Sequence, residues 1–145
     1  NAMCSVINGG SYYQPHLVSE IKDSSGSTVK KFDPIFMKQT VSSEISADIR
    51  SYMQASVQEG TSSTSKVQGY SSGGKTGTAE NSHGRDHGWF VAYGPFDNPN
   101  IAVAVIVENA GYGATSAVPI GYKILSAAFG LDKPKTPENQ PAPAQ

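Results

Sequence analysis

The chain reads as an α/β segment of the α+β type, an antiparallel sheet with helices packed on it. Three observations predict this. Three β-type stretches follow one another between residues 74 and 108, separated by little more than turn residues. One amphipathic helical repeat precedes them and another follows. Glycine, at 15 of 145 residues, exceeds its usual share of about 7% and mostly punctuates the β-rich pattern.

Met3 to Asn8 run into Gly9-Gly10, a helix-termination signal, and read as the tail of a helix. Asn1-Ala2, ahead of Met3, reads as a cloning scar. From His16 to Asp23 the chain alternates through Leu17, Val18 and Ile21, turns at Ser24-Ser25-Gly26 and returns over Thr28 to Phe32, which predicts a hairpin. Asp33-Pro34 breaks that pattern, leaving a connector up to Thr40. Ser42 or Ser43 then caps a helix, with Glu44 near its positive end. Ile45, Ile49, Met53 and Val57 follow at steps of four, one apolar stripe for a core, and Gly60 closes the helix. Met53 and Tyr52 read as core or rim residues.

Thr61 to Tyr70 is polar and rich in Ser and Thr, the pattern of a mobile loop. The strands expected next are Gly74 to Glu80, Gly88 to Tyr93 and Ile101 to Glu108. The turn Asp97-Asn98-Pro99-Asn100 sets the last two antiparallel. Ile101 to Val107 is continuously apolar, which predicts burial on both faces. Trp89 and Phe90 read as sheet-packing residues. Ala114 to Phe129 carries Val118, Tyr122, Leu125 and Phe129 at helical spacing, with Pro119 in the first turn. Residues 131–145, with prolines at 134, 137, 141 and 143, read as a disordered tail.

At 145 residues the chain suits one domain with a core. Eleven basic and 12 acidic residues leave a net charge of −1, no electrostatic basis for binding nucleic acid or an anionic membrane. Cys4 is the only cysteine, so no internal disulfide forms. No run of 18 apolar residues offers a membrane span, and no membrane contact is expected.

The chemistry concentrates in Gly73-Gly74-Lys75-Thr76-Gly77-Thr78-Ala79-Glu80. An extended peptide ending in a carboxylate adds to an exposed strand edge through main-chain hydrogen bonds. Gly74 and Gly77 lack a Cβ, so a second backbone or a fused ring can lie close against them. Thr76 and Thr78 project to one side of the strand, where both hydroxyls can hold a carboxylate. Lys75 projects to the other side and adds positive potential.

Several further features fit this motif to a family. Lys-Thr-Gly is one of three signatures of serine penicillin-binding proteins and class A β-lactamases. Here it follows Gly60-Thr61 by about a dozen residues. It precedes His87-Gly88-Trp89-Phe90-Val91-Ala92-Tyr93-Gly94-Pro95, then Asp97-Asn98-Pro99-Asn100 and Ile101 to Asn109. With Ile7-Asn8-Gly9-Gly10 and Gln14-Pro15-His16-Leu17-Val18 upstream, residues 3–130 closely resemble the C-terminal portion of the transpeptidase domain of class B-like bacterial penicillin-binding proteins. The resemblance implies a partial penicillin-binding (β-lactamase-like) fold. It implies Lys75 and Thr78 as catalytic groups, and Gly74, Thr76, Gly77 and Thr78 as substrate-binding groups. Thr76 and Thr78 would bind the terminal carboxylate of a D-Ala-D-Ala stem peptide or of a β-lactam. Thr78 N–H would be one oxyanion-hole donor, and Lys75 would contact a Ser-x-Asn hydroxyl. No cofactor or metal is implied. The parent would be an extracytoplasmic enzyme of the cell envelope, held at the membrane by an upstream anchor.

The nucleophile is not in the chain. Ser27-Thr28-Val29-Lys30 and Ser63-Thr64-Ser65-Lys66 both spell Ser-x-x-Lys, but that motif needs a helix to set the amine beside the hydroxyl. The first lies in a strand arm and the second in a Ser/Thr loop. The expectation is therefore a transpeptidase fragment that is inactive alone. Glu80, His83, Asp86 and His87 could offer zinc ligands, but a glycine-bearing loop lacks the rigidity, and a solvated rim is the better reading. Two other classes share such a strand: a β-lactam sensor domain and, less well matched, a β-lactamase. In the family, the strand at 101–108 pairs on its far side with an N-terminal segment, so self-association through an exposed edge is expected.

Overall fold

The computed structural model describes residues 1–131. The expected disordered tail lies outside the described residues, apart from Leu131.

Helix α1 (Ala2–Ile7) leads into β1 (Ser11–Tyr13), and the expected hairpin forms as β2 (Glu20–Lys22) with β3 (Thr28–Lys31). Asp23 closes that hairpin, accepting from the Ser25 N–H at 2.8 Å, the Ser25 hydroxyl at 2.6 Å and the Ser27 N–H at 3.0 Å. These bonds, the Ser25 hydroxyl foremost, hold its carboxyl below the usual aspartate range. Leu17 and Val18 stay outside the hairpin and exposed. The expected connector to Thr40 contains a strand, β4 (Phe36–Gln39), paired antiparallel with β1. Tyr13 meets Phe36 edge-to-face across that pair, with centroids 5.9 Å apart.

Helix α2 (Ser43–Gln58) begins where the capping pattern places it, with the Ser42 hydroxyl accepting from Ile45 N–H at 3.3 Å. Its stripe is graded: Ile45 is half exposed, while Met53 and Val57 are buried. The buried Ser46 ties it to α1, donating to Val6 C=O at 2.5 Å and accepting from Gly9 N–H at 3.0 Å. Arg50 fastens the same helix to the end of the sheet, donating to the carbonyls of Phe96 and Asp97.

The loop expected at residues 61–70 is anchored at three points. It contains a 3-10 turn (Ser63–Ser65), and Ser62, Ser65 and Val67 are buried. The serines bury because each finds a local partner: Ser56 donates to Ser62 at 3.1 Å, and Ser65 to the Ser62 carbonyl at 2.6 Å.

The main sheet is antiparallel in the order β5 (Gly73–Ala79), β6 (His87–Gly94), β7 (Ile101–Val107). One face carries Phe90, Ala92 and Val105 into a core closed by Val118 and Leu125 of α4 (Val118–Ala128). The other carries Tyr93 against Ile7 and Met53. The Tyr93 hydroxyl donates to Arg50 C=O at 3.0 Å, and burial pushes its pKa up. The final helix is split rather than continuous: α3 (Gly113–Ser116) precedes α4, and α4 turns Gly121 rather than Tyr122 towards the core.

Two apolar expectations are corrected at the sheet. β7 is buried on one face only, with Ala102, Ala104 and Ile106 exposed, because α4 covers a single side. Trp89, paired with Ile106, shares that open face and is 39% exposed, while Phe90 beside it is fully buried.

Candidate functional site

The Lys-Thr-Gly-Thr residues sit in the middle of β5, a terminal strand of the sheet, and β6 is its one strand neighbour among the described residues. The register opposes Lys75 to Val91, Thr76 to Phe90, Gly77 to Trp89 and Thr78 to Gly88. Residues opposite each other in a ladder share a face. Thr76 and Thr78 therefore lie on the side of Phe90 and α4, and Lys75 on the side of α2. Thr78 is exposed and Thr76 half-buried.

Lys75 Nζ donates to the Thr76 carbonyl at 2.8 Å and remains solvent-exposed. It lines a cavity of about 820 Å³ whose other walls include Ile49, Tyr52, Met53 and Val91. The cavity is largely apolar, with one ammonium at its wall.

The two glycines behave differently. At Gly77 an added Cβ would meet only Trp89, at 3.2 Å, so the rest of that surface is open to a ligand. Gly74 departs from the expectation of an open surface. It is buried, and a Cβ there would stand 2.9 Å from the Phe90 ring and 3.3 Å from Val57. That glycine makes room for the protein's own core.

Sequence reasoning passed over one contact. The Thr61 hydroxyl lies 3.0 Å from the Thr76 hydroxyl. The signal was present in Gly60-Thr61, but nothing local in the chain says that residue 61 reaches residue 76.

The two Ser-x-x-Lys sequences stay apart from this strand's chemistry. Ser27 belongs to the Asp23 turn and Ser63 to the 3-10 turn, so neither motif sits on an α-helix. At the start of β6, His87 Nδ1 accepts from Asn109 N–H at 3.0 Å. No three metal-ligating side chains converge among the described residues.

The edge strand β5 thus carries two threonines on one face and a lysine on the other, backed by an antiparallel sheet and by α4. The family model of the penicillin binding protein transpeptidase domain matches residues 1–126, and the chain belongs to that family, as part of a class B transpeptidase domain. Stage V sporulation protein D of Bacillus subtilis is 38% identical over 138 residues, covering 86% of this chain and 21% of that protein. Peptidoglycan D,D-transpeptidase PbpA of Mycolicibacterium smegmatis is 33% identical over 136 residues, covering 86% of this chain and 27% of that protein. Penicillin-binding protein A of M. tuberculosis, solved as a ceftriaxone acyl-enzyme complex, superposes with a TM-score of 0.78 at 28% identity, over 88% of this chain and 30% of that one. The chain thus spans about a quarter of the length of these curated relatives.

Proposed function

We propose that this chain is the carboxylate-binding part of a peptidoglycan D,D-transpeptidase. The observation that carries the reading is the placement of Lys75, Thr76, Gly77 and Thr78 on an exposed terminal strand, with the threonines on one face and the lysine on the other. A stem peptide ending in D-Ala-D-Ala would lie along that edge and pair with its backbone. The Thr76 and Thr78 hydroxyls donate to its terminal carboxylate, and charge-assisted bonds of this kind are the strong ones. Thr78 N–H supplies one donor to the oxyanion, a contribution of about 3 kcal/mol to the barrier. Lys75 adds positive potential on the opposite face and reaches a hydroxyl supplied by another segment.

The serine nucleophile and its base belong to a segment outside residues 1–145. The serine oxygen bonds to the carbonyl carbon of the penultimate D-Ala, and the terminal D-Ala leaves as the amide breaks. An amine of a neighbouring stem peptide then displaces the serine and forms the cross-link. A β-lactam acylates the same serine. No cofactor takes part, and the chain alone is inactive. This chemistry acts on the cell wall, so the parent works outside the cytoplasm, anchored upstream of this segment; no described helix here is long and apolar enough to cross a membrane. The names of the mycobacterial relatives and the acyl-enzyme complex of one of them support the reading.

Mass spectrometry with labelled penicillin, on this chain and on the gene product that carries it, is the test. One penicilloyl adduct on the gene product and none on the chain is the expected result. A stable adduct on residues 1–145 would sink the claim of inactivity. No adduct on either would remove the transpeptidase reading.

A further inference from the structure

Resting on that reading, we propose that Thr61 is a positioning residue for the carboxylate site, acting through the hydroxyl of Thr76. The two hydroxyl oxygens are 3.0 Å apart, and either can donate. A hydroxyl has one proton and two acceptor positions. When a carboxylate arrives, Thr76 must give its proton to the anion. Its oxygen is then free to accept, and Thr61 is the neighbour able to donate. The result is a relay of two bonds, Thr61 to Thr76 to carboxylate, in which each polarises the next. The same contact holds the Thr76 hydroxyl in one orientation before the ligand binds.

Thr61 suits this task because it stands on a fixed post. It follows Gly60, whose N–H bonds to the Ser56 carbonyl at 3.0 Å at the end of α2. Ser62, the next residue, is fully buried, with its N–H on the Ser56 carbonyl at 3.2 Å and its hydroxyl accepting from Ser56 at 3.1 Å. Ser63 N–H returns to the Gly60 carbonyl at 3.0 Å. The backbone around residue 61 is thus tied to the helix on both sides, while the Thr61 side chain itself stays exposed at the strand edge. Thr61 also borders the cavity that Lys75 lines, so it stands where the two faces of β5 meet.

The experiment is a double-mutant cycle in the gene product, reading the second-order rate of acylation by a fluorescent penicillin with a free carboxylate. Thr61→Val keeps the branched shape and removes the hydroxyl. It should slow acylation about five- to tenfold, the effect of one net hydrogen bond, without shifting thermal unfolding. Thr61→Ser should stay within about twofold of the parent, since it restores the donor. In a Thr76→Val background, Thr61→Val should have no further effect, because the group it orients is gone. Wild-type acylation by Thr61→Val, no rescue by serine, or multiplying effects in the double variant would each overturn the proposal. A parent that is never acylated would instead bring down the function on which it rests.

Discussion

Phe90 is the side chain on which the site strand is seated, and removing it tests the packing account. Its ring is fully buried between the sheet and α4. It is flanked by two glycines: a Cβ at Gly74 would stand 2.9 Å from the ring, and one at Gly121 would run into it. Phe→Ala in a core costs about 3–5 kcal/mol, and the cost grows when neighbours cannot relax into the void. Neither glycine has a side chain with which to do so, which keeps Phe90→Ala off the low end, at about 4 kcal/mol. With a urea m-value of about 2 kcal/mol/M, the midpoint falls by about 2 M. Trp89 is the only tryptophan of the chain and lies one residue away on the opposite face, so its fluorescence reads the transition. If Phe90→Ala leaves no folded baseline, Phe90→Leu carries the same comparison. The sharper test is a sign change. Gly121→Ala alone should destabilise by about 1–3 kcal/mol through overpacking. In the Phe90→Ala background it should stabilise, filling the void and gaining about 1 kcal/mol of helix propensity. Equal harm in both backgrounds would refute the packing argument.

Two further outcomes are expected. β7 has β6 as its one strand partner among the described residues and exposes Ile106, so the chain should self-associate through that edge. Light scattering at high concentration should show species above 15.3 kDa that Ile106→Lys reduces; a clean monomer would dispose of the idea. The Asp23 carboxyl is held below its usual range by the turn bonds, so its contribution is present above the unfolded value of about 4. It is lost as pH falls through the depressed folded value, and the turn loosens in acid. Following Ser25 and Ser27 amide shifts by NMR checks this, and an Asp23 titration at or above pH ~4 would contradict it.

Elements whose causes lie within a few residues were legible in the chain. The α2 cap at Ser42, the 20–31 hairpin and the three sheet strands each follow from local spacing, capping or turn chemistry. The faces that Thr76, Thr78 and Lys75 take on β5 were legible for the same reason: alternation along a strand decides which side chains share a face. The β1–β4 pair was not, because its partners stand up to 28 residues apart and Phe36 to Gln39 carries no periodicity of its own. Ser62 lies in a polar Ser/Thr stretch, yet it is buried with its hydroxyl accepting from Ser56 near the end of α2.

What the sequence determined by itself is the order of the main elements, from the 20–31 hairpin through α2 and the three sheet strands to the last helix, and the residue types along the β5 edge. Both are short-range properties, encoded by backbone preference and the period of apolar residues. Tertiary structure alone decided which apolar residues became core. It buried Phe90 and left Trp89 half open, although the two are adjacent and equally hydrophobic, because α4 covers only one face of the sheet. It also assigned Gly74 to packing and brought Thr61 to Thr76. Those outcomes depend on where distant surfaces meet, and no local pattern carries that information.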